Sequence, residues 1–79
     1  MSQLATERVH LEKADDRIAG GERRIKAQAN LVERLRAAAH DTVEAERLLG
    51  NLQDALVNWN EHRDEIIREI ARLEQALPS

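Results

Sequence analysis

The chain has no cysteine, no phenylalanine and no tyrosine, and Trp59 is its whole aromatic content. The lack of cysteine excludes disulfides and thiolate metal sites, the usual staples of small secreted domains. With a single aromatic ring, the 42% of hydrophobic residues consists mainly of Leu, Ile and Ala, which favour helix and pack without leaving large pockets. No apolar run approaches the roughly 18 residues of a membrane span. The first residues lack the basic-then-apolar order of a signal peptide, so cytoplasmic residence is the expectation.

What is present is short and highly charged. Seventy-nine residues, 34% of them Asp, Glu, Lys or Arg, put a ceiling of one domain on the chain and leave it at the lower limit for a core of its own. Stability must come from packing or from a partner. The formal net charge of −3 argues against general nucleic-acid binding, which needs many phosphates neutralised by Lys and Arg. Residues 1–39 carry eight basic and six acidic side chains, and residues 41–79 carry four and nine. The two halves therefore attract.

In the first half Leu4, Leu11, Ile18, Ile25 and Val32 recur every seven residues, with Ala14, Gly21, Gln28 and Leu35 in the second column of the same heptads. The column keeps its phase across Gly20-Gly21, which a chain reversal would rarely preserve, so the spacing predicts one helix, locally soft or kinked there. In the second half Ala45, Leu49, Leu52, Leu56, Trp59, Ile66, Ile70, Leu73 and Leu77 follow alternating steps of four and three, interrupted by Arg63. Asp41 followed by Glu44 reads as a capping box, with Asp41 accepting from first-turn amides and Glu44 reaching back. Pro78 ends the pattern. The expectation is all-α: helix 1 over about 4–38, a turn over about 39–41 near His40-Asp41-Thr42, and helix 2 over about 42–76.

A turn this short forces an antiparallel hairpin in which facing residue numbers add to about 81. Leu4 then meets Leu77, Leu11 meets Ile70, Ile25 meets Leu56 and Val32 meets Leu49. Flanking charges also fall opposite one another: Arg8 with Glu74, Arg36 with Glu46, His10 with Glu69. The same register sets Trp59 against Gly20-Gly21, so the two glycines are expected to make room for the indole.

The run His10-Leu11, Ile18-Ala19, Gly21-Glu22, Arg24-Ile25, Gln28, then His40-Asp41-Thr42, Leu48-Leu49 and His62-Arg63-Asp64 with Ile67 resembles a group of short, uncharacterised helical-hairpin proteins of alphaproteobacteria. The resemblance covers nearly the whole chain and implies a bacterial helical hairpin, without an activity. Those proteins commonly have Gly where this chain has Ala39, so the left-handed cap the resemblance implies meets an unsuitable residue there.

The apolar surface is wider than one seam. Leu31, Ala38, Leu48 and Ala55 share a flank near the turn and Ile67 lies on the other flank, so association of two copies into a four-helix bundle is expected. Gln28 and Arg63 are polar intrusions into the seam. Gln28 suits a register-fixing role, and Arg63 is expected to run its aliphatic stem out to solvent, with pairing to Asp15 or to an acid of a partner chain the alternatives. His10, followed three residues later by Lys13, and His62-Arg63-Asp64 only faintly resemble phosphotransfer motifs and read as solvent-exposed. His62 and Glu65 share a face but lack the further inward carboxylates and histidines of a bundle metal site. Arg23, Arg24 and Lys26 with Arg17 form the most basic patch, without interleaved aromatics for base stacking.

No nucleophile, base and orienting group occur together, and no phosphate loop is evident. The expected function is a non-catalytic, oligomeric protein–protein interaction module with neither cofactor nor metal. Its expected partners are a second copy and an unidentified protein, with membrane excluded and nucleic acid disfavoured. The alternatives are a nucleic-acid-associated protein using the basic face of helix 1 and a histidine phosphotransfer-like hairpin.

Overall fold

A computed structural model describes residues 2–77, which form two α-helices, α1 (Gln3–Ala37) and α2 (Val43–Gln75), and no strand among the described residues. The helices lie side by side as an antiparallel hairpin 64 Å long and 16 by 14 Å across. All four helix ends fall within a residue of those expected from the sequence. Pro78 lies outside the described residues.

Each end of α1 has an identifiable cause. Ser2 is its N-cap, with the hydroxyl oxygen accepting from the Ala5 amide at 3.1 Å. At the other end Ala39 takes φ 59°, the His40 amide donates to the Leu35 carbonyl at 2.9 Å and the Ala39 amide donates to the Arg36 carbonyl at 3.0 Å. That pair of bonds is the Schellman closure. It forms with alanine in the left-handed conformation, which glycine would adopt without the Cβ penalty.

The start of α2 corrects the expected capping box. Asp41 Oδ1 accepts from the Val43 amide at 2.9 Å, but the N-cap is Thr42, whose side chain makes no capping bond. Glu44 does not reach back: its Oε2 accepts from Arg47 at 2.8 Å. A guanidinium one turn along offers a charge-assisted bond that the neutral amide cannot match. Asp41 accepts from a first-turn amide, as expected, but from the residue two along and from outside the N-cap position, so the reciprocal box does not form.

Between the helices Ile18, Val32 and Ile66 are buried. Leu4, Leu11, Ile25, Leu35, Leu49, Leu52, Leu56, Trp59, Ile70 and Leu73 line the same seam half-buried. A two-helix contact covers each side chain from one direction only, so most of the seam keeps an open edge. The seam closes before Leu77, which is exposed. The residues expected on the flank stay near the surface: Leu31 is 36% and Leu48 47% exposed, Ala38 and Ile67 are exposed, and Ala55 is half-buried.

α1 runs unbroken through Gly20-Gly21. Gly21 is buried, and a Cβ built on it would stand 2.6 Å from Trp59 Cζ3 and 3.7 Å from Leu56 Cδ1. Gly20 departs from expectation. A Cβ there would meet only Arg23 Nη2 of its own helix, at 3.7 Å. One glycine of the pair admits the indole; the next residue of a helix is turned about 100° away and faces elsewhere.

Candidate functional site

The two flanks of the seam differ in chemistry. On one, α1 and α2 are tied by three cross-helix ion pairs: Arg8 Nη2 with Glu74 Oε1 at 3.7 Å, Arg36 with Glu46, and Arg63 with Asp15. The first two are the pairs the register predicts. The third corrects the expectation for Arg63. Its Nε donates to Asp15 Oδ1 across the seam instead of extending to solvent, because a carboxylate lies within reach of a side chain whose stem is already half-buried. All six partners are more than a third exposed, so each pair contributes little to stability and serves chiefly to fix register. Gln28 adds a further tie, its Nε2 donating to the Ala45 carbonyl at 2.9 Å.

The opposite flank carries Leu31, Leu48, Ala38 and Ala55 towards the turn and a cationic groove towards the open end. The groove encloses about 180 Å³ and is lined by His10, Lys13, Ala14, Arg17, Trp59 and His62. Heptad geometry places these side chains together. His10 and Arg17 are seven residues apart on α1, Ala14 lies between them in the seam, and His62 stands one turn beyond Trp59 on α2. The Arg17 guanidinium carbon lies 5.8 Å from the centroid of the Trp59 ring, within cation–π range.

His10 was expected opposite Glu69. Instead its Nδ1 lies 3.5 Å from Glu7 on the same helix, and Glu69 accepts from Arg72 Nε at 3.0 Å. Partners one turn away on the same helix meet more readily than partners across a seam. The arginine hydrogen bond holds the Glu69 carboxyl below its ordinary pKa and raises that of Arg72.

The groove was not legible as a unit in the sequence, where His10, His62 and the basic patch of α1 read as separate exposed features. The available signal was register: Arg17 and His62 occupy equivalent flank positions of the two helices, and Trp59 floors the space between them. The rest of the patch, Arg23, Arg24 and Lys26, is exposed on α1 and does not enter the groove.

Among the described residues there is no group of three or more His, Asp or Glu side chains placed to hold a metal. A second depression, over Ala27, Asn30, Glu33, Arg34 and Ala37, belongs to α1 alone, and the convex face of one helix cannot enclose a ligand. No helix of the described chain is long and apolar enough to cross a membrane.

The class these elements define is an antiparallel two-helix hairpin with one flank ion-paired and the other apolar and cationic. No protein-family model, curated protein or solved structure matches the chain.

Proposed function

We propose that the chain is a non-catalytic protein–protein interaction module that works as a homodimer. Two hairpins associate through the flank of Leu31, Leu48, Ala38 and Ala55 to make a four-helix bundle. The observation that carries this reading is the contrast between three sealed apolar side chains, Ile18, Val32 and Ile66, and two leucines left open beside them, Leu31 at 36% and Leu48 at 47% exposure. A single small core of this kind rarely yields more than about 3–5 kcal/mol. Covering the leucines would add about 25 cal/mol for each Å² of apolar surface removed from water. A second copy presents the same strip and forms a closed two-fold contact.

On this reading the chain is a cytoplasmic bacterial protein of the kind the sequence resembles. The direct test is Leu31→Glu combined with Leu48→Glu. The module is expected to sediment as a dimer and the double variant as a helical monomer. A wild-type chain that sediments as a monomer at every concentration would refute the homodimer.

A further inference from the structure

We propose that the groove over Trp59 is a binding site for a carboxylate side chain within an acidic segment of a protein partner. The inference rests on the reading of the chain as an interaction module and names the chemistry of one thing that it binds.

The lining carries the argument. Of the six residues around the groove, Lys13 and Arg17 are cationic, His10 and His62 add ring nitrogens able to hydrogen-bond, and none is a carboxylate. Among the described residues neither Lys13 nor Arg17 has an ion-pair partner, although the chain as a whole is acidic. Of the acids nearby, Glu7 pairs with His10, Asp15 with Arg63 and Glu69 with Arg72, while Asp16 and Glu65, each one turn along from a lining residue, make no ion pair with the lining among the described residues. Arg17 is instead drawn over the indole, a contact that orients its guanidinium at the groove and leaves its donors for an anion.

Size and charge select the ligand. A volume of about 180 Å³ is below the roughly 300–1,000 Å³ of pockets that enclose cofactor-sized molecules, but it accommodates one acidic side chain. A nucleic acid would have to continue past the groove along a cationic track. Arg23, Arg24 and Lys26 continue past it on α1, but α2 exposes Asp54, Glu61, Asp64 and Glu65, which repel a phosphate backbone. A second copy is also poorly suited, since two-fold pairing of parallel hairpins over their whole length would bring like-charged grooves together. Pairing confined to the Leu31 and Leu48 half leaves the groove open.

Trp59, as the sole tryptophan, reports on the groove without a label. The probe is an end-capped hexaglutamate peptide titrated into the full chain at low salt, with Trp59 emission as readout and hexalysine and decathymidylate as comparisons. Saturable binding of hexaglutamate is expected, with none for hexalysine. The affinity should fall at least tenfold in Lys13→Gln with Arg17→Gln, and stay unchanged in Arg47→Gln, whose site lies near the turn. Lys13→Gln alone should fall at least threefold, which keeps the test available if the double variant loses helicity.

Absence of a saturable change would overturn the proposal, as would equal affinity in the Lys13 and Arg17 variants. Tighter binding of decathymidylate would replace it with a nucleic-acid site. Emission that shifts with protein concentration alone would assign the groove to a second copy. Light scattering on the same samples reads self-association separately, so the dimer can fail while the groove stands, and the reverse.

Discussion

The edge of the Trp59 indole lies against the bare α-carbon of Gly21, so close that a Cβ there would stand 2.6 Å from Cζ3 and 3.2 Å from Cε3. The largest side chain of the hairpin thus fits at the one seam position of α1 that has no side chain. Gly21→Ala should destabilise the fold by about 1–3 kcal/mol, the usual cost of overpacking. It should do so even though alanine is the better helix residue by roughly 0.8–1 kcal/mol. Gly20→Ala and Gly50→Ala supply the controls. A Cβ at the first meets only Arg23 Nη2 at 3.7 Å, and at the second nothing within 4 Å. Both should stabilise by about 0.5–1 kcal/mol. Urea unfolding of the three variants checks the signs, and a stabilising Gly21→Ala would mean that the indole packs elsewhere.

The end of α1 gives a prediction of the opposite kind. Ala39 adopts φ 59° to close the Schellman bonds, a conformation that costs an L-residue roughly 1–2 kcal/mol. Ala39→Gly removes the Cβ penalty but adds freedom to the unfolded chain. The balance should be a gain of about 0.5–1 kcal/mol, seen as a higher urea midpoint at unchanged slope.

How much of this was legible in the sequence follows from what each interaction depends on. Heptad phase reads directly from residue spacing, so the helices, the hairpin and the pairs Arg8–Glu74 and Arg36–Glu46 could be deduced. Glu44, His10 and Arg63 were misassigned because each has competing partners within one turn or across the seam, and side-chain rotamers decide among them. Gly20 was grouped with Gly21 because adjacency in sequence resembles adjacency in space, which a helix does not honour. The groove required register and side-chain direction together. Ala39 was recognised as the left-handed position only through resemblance, since nothing intrinsic to alanine announces it.

Acid should act weakly through α2. The Arg72 hydrogen bond lowers the pKa of Glu69 in the folded chain, so the folded state binds its proton less readily than the unfolded state. The associated stabilisation is present above the unfolded carboxylate value and is lost as pH falls through the lowered folded value. Arg72 is exposed and the Glu69 side chain is 34% exposed, so the effect is small and screened by salt. An NMR titration should place Glu69 below its ordinary pKa, and Arg72→Ala should return it upward. A Glu69 that titrates unchanged in Arg72→Ala would assign the shift to another cause.

The Arg63–Asp15 pair crosses the seam at 37% and 51% side-chain exposure. A double-mutant cycle with Arg63→Met and Asp15→Asn should give a coupling of about 0.2–1 kcal/mol, as for other exposed pairs. The coupling should shrink in 1 M salt. A coupling of zero at low salt would mean that Arg63 spends its time in solvent.

The central claim is that the flank of Leu31 and Leu48 is completed by a second copy, and thermal unfolding across a hundredfold dilution tests it most directly. Burial of that flank on association links folding to protomer concentration. The account predicts a midpoint that falls steadily on dilution, with twice the monomer mass by light scattering at the high end. A midpoint that does not move, together with a monomer mass at every concentration, would contradict it.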